Sequence, residues 1–223
     1  MGVPVLILGE SGSGKSASLR NFEPNDVSII NVAGKPLPFR KKLPVFNSAD
    51  YNKICAAIKG SPKKAFVIDD SQYLMCFEAF AKAKETGYGK YTDMALHFYN
   101  LVQFVIQQTP ADVIVYFLHH TDQDGNTGKI RAKTLGKMLD NQLTVEGLFS
   151  IVLLCWTDGK KHIFQTQSDG LTTCKSPMEM FPPEIDNDLK KVDQTIRDYY
   201  GWNKKGNEKN DSETERLGER QSV

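Results

Sequence analysis

What this sequence lacks already narrows its function. Its formal net charge is only +1, so no overall field draws it onto nucleic acid or a lipid surface. Any polyanion binding has to come from local clusters. No stretch approaches the roughly 20 apolar residues that a membrane helix requires. Met1–Leu8 has no charged leader and Glu10 interrupts its apolar run, so no signal peptide is expected. These absences predict a cytoplasmic protein. The four cysteines (Cys55, Cys76, Cys155 and Cys174) show neither C-x-x-C spacing nor a metal-ligand pattern. Cys55, Cys76 and Cys155 lie in apolar runs and are expected as reduced core residues. No internal repeat is visible. A length of 223 residues suits one α/β domain with a sizeable core.

What is present is an alternation of short buried strands and helices. Val3–Leu8 is a continuous apolar run that predicts a strand buried on both faces, with Pro4 tolerated at its beginning. A helix is expected over Lys15–Phe22, then a strand over Val27–Ala33 and a basic, proline-bearing loop over Gly34–Lys42. Asp50–Lys59 predicts a helix with Ser48 as N-cap. Ala65–Ile68 predicts a third buried strand ending in Asp69 and Asp70. Helices follow over Leu74–Lys84 and Thr92–Gln108, then a strand over Asp112–Leu118 that runs into His119 and His120. Ser150–Trp156 and Lys161–Gln167 predict a hairpin turning at Asp158-Gly159. Glu184–Tyr200 predicts a final amphipathic helix. The alternation implies a mostly parallel central sheet with helices on both faces. Residues 1–202 read as one domain and residues 203–223, poor in aliphatics, as a disordered polar tail.

One motif carries specific chemistry. Gly9-Glu10-Ser11-Gly12-Ser13-Gly14-Lys15-Ser16 satisfies G-x-x-x-x-G-K-[ST], with a buried strand before it and a helix expected after it, and Gly9–Ala17 is the expected nucleotide-binding stretch. Glycines let the backbone curl so that successive N–H groups converge on phosphate oxygens, and the helix N-terminus adds its dipole. Lys15 is expected on the β- and γ-phosphates and the Ser16 hydroxyl on Mg²⁺. Such a site needs an acidic partner for the metal at the end of a neighbouring strand, and Asp69 is the candidate. Asp70 either orients the attacking water or caps the following helix; Glu10 is a weaker candidate base. His119, delivered to the carboxyl edge of the sheet, is the candidate γ-phosphate sensor, with His120 expected to turn away. His97 is expected as a packed or surface histidine.

Two further segments offer cations. Lys129, Arg131, Lys133 and Lys137 fall within nine positions without an acid among them, after a turn-rich stretch at Asp122–Gly128. They are either a solvated face or a mobile segment that touches a polyanion or a neighbouring subunit's nucleotide. In Lys82–Tyr91, Lys84 and Lys90 alternate with Tyr88 and Tyr91, the mixture that holds single strands by phosphate contact and base stacking.

Taken together, GESGSGKS, FVIDD, the strand ending in His119, LGKMLDN (Leu135–Asn141) and FPPEIDNDLKKVDQTIRDYY (Phe181–Tyr200) resemble the phage-encoded P-loop nucleotide-binding proteins. These are compact relatives of the RecA recombinase core, some of them associated with single-strand annealing and recombination. The resemblance spans about residues 3–200. It implies an α/β P-loop NTPase of RecA-like type that uses ATP and Mg²⁺ in the host cytoplasm. It also implies single-stranded DNA as partner, self-association into a ring or filament, and contact with phage single-strand-binding or replication proteins. Recombinases usually place a catalytic Glu after their second strand. Here Val27–Ala33 runs into Gly34-Lys35-Pro36, which argues against strong intrinsic hydrolysis. The competing readings are an AAA-type loader acting on proteins and a nucleotide-dependent scaffold.

Overall fold

The computed structural model describes residues 1–136 and 143–203. Lys137, the rest of the LGKMLDN stretch beyond Gly136, and the expected tail beyond Asn203 lie outside the described residues. Among the described residues the centre is a mixed sheet of nine strands. β1 (Val3–Gly9), β2 (Val27–Asn31), β3 (Val45–Asn47), β4 (Ala65–Asp69), β5 (Ile114–Gln123) and β7 (Ile151–Thr157) run parallel in the order β3-β2-β4-β5-β1-β7. β8 (His162–Gln165) and β9 (Glu184–Asp186) extend it antiparallel beyond β7, and β6 (Ile130–Ala132) pairs antiparallel with the far end of β5.

Helices cover both faces. One face receives α1 (Tyr51–Gly60), α2 (Tyr73–Ala81) and α3 (Gly89–Gln108), which bury Ile54, Ile58, Leu74, Met75, Phe98, Leu101 and Val105 against Phe66, Ile68, Val115 and Phe117. The other receives α4 (Leu189–Tyr199) and a short 3₁₀ turn (Ser16–Asn21), which bury Leu189, Val192, Ile196 and Leu19 against Val5, Ile7, Val67 and Tyr116. The central strands β1, β2, β4, β5 and β7 therefore feed two cores, which is why they read as continuous apolar runs. α1 and α3 stop where proline approaches. Ser61 before Pro62 and Thr109 before Pro110 are both extended, the conformation that a following proline enforces. Among the described residues, no helix is long and apolar enough to cross a membrane.

Several expectations need correction. The segment after the glycine-rich loop is a six-residue 3₁₀ helix, not an α-helix over Lys15–Phe22. Phe22 turns extended ahead of Glu23-Pro24 and drops its fully buried ring into the core, so the helix ends there. Its dipole contribution to an anion site is correspondingly small. Asp50, not Ser48, caps α1, accepting from the N–H groups of Asn52 and Lys53. Glu184–Asp186 is strand rather than helix. Thr166 bonds the carbonyls of Pro182 and Pro183 and draws the segment onto β8, and α4 begins only after Asp188, its cap. Strand β3 is too short to announce itself in the sequence. Of the two readings of the basic stretch after Gly128, a solvated face or a mobile segment, the second is corrected: Ile130–Ala132 is a sheet strand. The Ala132 N–H donates to the buried Glu146 carboxylate at 2.7 Å, and Lys133 N–H donates to His120 O at 2.9 Å.

Candidate functional site

The parallel strands end together, and their two-residue side-chain period decides what faces the glycine-rich loop. Val5 and Ile7, Val27 and Ile29, Ala65 and Val67, and Tyr116 and Leu118 all point to the face that carries the 3₁₀ turn and α4. Continuing each alternation to the carboxyl end reaches Gly9, Asn31, Asp69 and His120. The register pairs Gly9 with His120 and Asn31 with Asp69, so the four occupy one edge. Of the four, Asp69 and His120 line a cleft of about 320 Å³ whose lining also includes Glu10, Ser11, Gly12, Gly14, Lys15, Ser16, Ala17, Lys35, Asp70 and His162. An open parallel sheet offers its ligand crevice at this edge.

The loop Gly9–Ser16 curls through left-handed glycines, Gly12 at φ 82° and Gly14 at φ 103°. Its outer carbonyls are tethered by residues remote in sequence. Ser13 O accepts from His162 Nδ1–H at 2.7 Å and from the Cys155 thiol at 3.0 Å. Gly14 O accepts from the Asn187 amide at 3.3 Å, and Asn187 in turn accepts from Arg20 at 3.1 Å. In a trans peptide the N–H points opposite to the C=O. Holding these two carbonyls against β7, β8 and the start of α4 therefore turns the N–H groups of Gly14 and Lys15 away from that wall. A Cβ at Gly9 would sit 2.5 Å from Ser13 Oγ and 2.7 Å from Cys155 O, so the close fold of the loop on β7 requires glycine there. Burial pushes the Cys155 thiol up to about 11, and the proton it donates stays in place.

Lys15 is buried, and its Nζ donates to Gly9 O at 2.7 Å and Glu10 O at 2.9 Å, two carbonyls of the same loop. Burial holds its ammonium below the ordinary lysine range, opposed by the charges of Asp70 and Asp69. Ser16 Oγ donates to Asp69 Oδ1 at 2.8 Å although their strands are separated by β5. Burial raises the Asp69 carboxyl above its usual range, and the Ser16 hydrogen bond opposes the rise only in part. A buried carboxylate beside a hydroxyl, both facing the cleft, suits a divalent cation, which would supply the counter-charge Asp69 lacks. Among the described residues no cluster of three or more His, Cys, Asp or Glu forms a complete cage. The set fits a cation that takes its remaining ligands from phosphate and water.

Asp70 adopts φ 60°, rare for a residue with a side chain. Its side chain does not cap α2. Oδ2 lies 2.6 Å from Lys35 Nζ and Oδ1 lies 3.3 Å from His120 Nε2. Burial works to raise the Asp70 carboxyl, but His120 and Lys35 together hold it below the usual carboxylate range. Neighbouring carboxyls are thus pushed apart, Asp69 upward and Asp70 downward. Lys35 also stands over the Tyr73 ring at 5.1 Å, and Tyr73 meets His120 edge-on at 5.5 Å.

The two histidines lie the other way round from expectation, His120 at the cleft and His119 away from it. His119 is fully buried and does not line the cleft; the alternation that turns His120 toward the loop turns His119 to the opposite face, edge-on to Phe98 at 5.6 Å. Its Nε2–H donates to Lys133 O at 2.8 Å, which leaves Nδ1 to accept from Ser71 Oγ at 2.9 Å. Burial lowers its pKa to about 4, so it is neutral at pH 7. His97 lies on the surface, paired with Glu78 at 2.8 Å.

The two cation-bearing segments meet. A Cβ on Gly136 would lie 3.1 Å from Tyr91 Cβ, which brings the stretch after β6 against the start of α3. Tyr88 and Lys84 are exposed, while Lys90 folds back on Glu85 O at 2.8 Å and over the Tyr91 ring at 5.5 Å. Lys129 and Lys133 are exposed and Arg131 is half-buried. Sequence reasoning missed Lys35, His120, His162 and Asn187. Strand parity would have identified His120; the others are brought in by loops and by the antiparallel end of the sheet. Compared with known proteins, the chain matches no family model and no curated sequence.

Proposed function

We propose that this chain binds ATP with Mg²⁺ in the cleft at Gly9–Ser16 and is an ATPase of the RecA-like P-loop type. The observation that carries the reading is the contact of Ser16 with Asp69 at the mouth of a loop that already holds Lys15. In this reading the N–H groups of Gly14 and Lys15 receive phosphate oxygens, and the Lys15 ammonium neutralises their charge. Ser16 and Asp69 hold the metal, which supplies charge neutralisation at the β- and γ-phosphates. Asp70 orients the attacking water, with His120 fixing its carboxylate. Lys15→Ala tests the reading. ATP affinity measured by calorimetry falls ~10-fold or more, the loss expected for charge-assisted hydrogen bonds of about 1.5–3 kcal/mol. Unchanged affinity in a protein of unchanged melting temperature would remove the nucleotide site.

Single-stranded DNA is the partner favoured by one further observation, the meeting of the Lys84–Tyr91 loop with the stretch after β6. Lys133 is bonded through its backbone to both His119 and His120, so the basic strand shares its hydrogen bonds with a cleft residue. If phosphates bind there, each contact contributes ~0.7 to the slope of log affinity against log salt. The pair Lys129→Ala and Lys133→Ala then flattens the slope by about 1.4 while ATP binding survives. An unaltered slope with loss of cooperative ATPase assigns the segment to a neighbouring subunit's nucleotide instead.

A further inference from the structure

We infer that Lys35 is a triphosphate-sensing cation: it leaves Asp70 for the γ-phosphate when a nucleoside triphosphate enters and returns to Asp70 when a diphosphate remains. The inference rests on the nucleotide reading above and adds to it the residue that distinguishes the two nucleotides.

The backbone that carries Lys35 is fixed. Asn31, buried at the end of β2, donates to Lys35 O at 2.6 Å and accepts from Gly34 N–H at 2.9 Å. Val32 N–H bonds Asp69 O at 3.2 Å, tying the same turn to the carboxylate strand. Gly34 at φ 67° makes the reversal that this tie needs. The side chain, by contrast, is held only at its tip. It is 60% exposed, crosses the Tyr73 ring and ends 2.6 Å from Asp70. A lysine so placed moves its charge by rotating side-chain torsions, with no backbone rearrangement.

Charge gives that movement a direction. The charged residues lining the cleft are Glu10, Lys15, Lys35, Asp69 and Asp70, which sum to −1. A triphosphate adds more negative charge than one Mg²⁺ cancels, and the γ-phosphate is the part that a diphosphate lacks. Lys15 meets the phosphates from within the loop. Lys35 is the other lysine lining the cleft, on the side of Asp70. Its present partner, Asp70, keeps a second partner in His120 when Lys35 leaves. The exchange therefore strands no carboxylate. It also removes the cation that most directly quenches Asp70. Asp70 then takes a proton from water as the water oxygen bonds to the γ-phosphorus, and the bond from that phosphorus to the bridging oxygen breaks with its electron pair on the diphosphate. The return of Lys35 to Asp70 marks the diphosphate state.

The test is a set of affinities for a non-hydrolysable β,γ-imido triphosphate and for the diphosphate, both with Mg²⁺. The proteins compared are wild type, Lys35→Ala, Lys35→Arg and the double variant Lys35→Ala with Asp70→Asn. Lys35→Ala is expected to weaken the triphosphate ~10-fold, as for loss of one charge-assisted contact, and the diphosphate less than about twofold. Lys35→Arg, which keeps the charge, restores most of the preference. The double variant stays weak for the triphosphate. If removing the Asp70 charge restores it to wild-type affinity, Lys35 merely neutralises Asp70 and the inference is overturned. Equal weakening of both nucleotides, or of neither, also overturns it. If wild type binds neither nucleotide, the nucleotide site itself is wrong and Lys35 falls with it.

Discussion

Acid should strip stability from this protein well above the carboxylate range, and His119 is the reason. Its imidazole is completely buried, wedged against Phe98, with Nε2–H given to Lys133 O and Nδ1 taken by Ser71. Burial lowers its pKa from 6.5 to about 4. The unfolded chain therefore binds a proton at a pH where the native protein refuses it. Stability rises with pH while the unfolded state holds more protons, so this contribution is complete above the unfolded value. It declines as the pH falls from about 6.5 toward about 4 and changes no further below that. From those two values the loss is about 2 kcal/mol at pH 5 and about 3 kcal/mol at pH 4. Denaturant unfolding at pH 7, 6 and 5 measures it, with His119→Gln as reference. Glutamine keeps a donor for Lys133 O and an acceptor for Ser71 but does not titrate. The variant starts less stable at pH 7, and the two proteins converge by about 2 kcal/mol at pH 5. Parallel loss of stability over that interval would refute the argument, because the imidazole would then be protonated equally in both states.

The remaining expectations concern the cleft and its support. Asp70→Asn keeps Mg²⁺-ATP binding and loses hydrolysis by ~10²-fold or more if Asp70 handles the attacking water, and steady-state turnover decides it. Gly14→Ala forces a Cβ to 2.9 Å from His162 Nδ1 at a φ that costs about 1–3 kcal/mol, so nucleotide affinity falls ~10-fold or more. Gly12→Ala, with open space around it, is milder, and calorimetry of the pair ranks them. Tyr116→Phe removes a 3.0 Å bond to Asp193 but leaves Asp193 its 2.8 Å pair with Arg197. It should cost about 1–2 kcal/mol in denaturant unfolding without altering nucleotide affinity.

Much of the architecture is local chemistry, legible in the chain itself. Continuous runs such as Val3–Leu8 and Ala65–Ile68 have no polar side to offer water, so they must lie in a covered parallel sheet, and they do. Gly12 and Gly14 at positive φ follow from the glycine spacing of the loop. The site is legible to the same depth, in that Lys15, Ser16 and Asp69 share the cleft. Where the reading failed, the deciding force acted at a distance. The segment after the loop has helical composition, yet burying Phe22 ahead of Glu23-Pro24 reduces it to a short 3₁₀ helix. Of the two readings of Lys129–Lys133, the mobile one fails, because Glu146 and the end of β5 supply hydrogen bonds that make Ile130–Ala132 a strand while Lys129 and Lys133 stay exposed. The histidine pair shows both sides at once. That adjacent strand residues face opposite ways is a property of the extended chain, visible before any fold. Which face carries the glycine-rich loop depends on how β1 lies against β5, and that packing puts His120 at the cleft and His119 in the core. His162 and Asn187 stand 149 and 173 residues from Ser13 O and Gly14 O, the loop carbonyls they hold. No local pattern encodes such contacts, because the free energy that fixes them comes from closing the sheet, and only the folded chain brings them together.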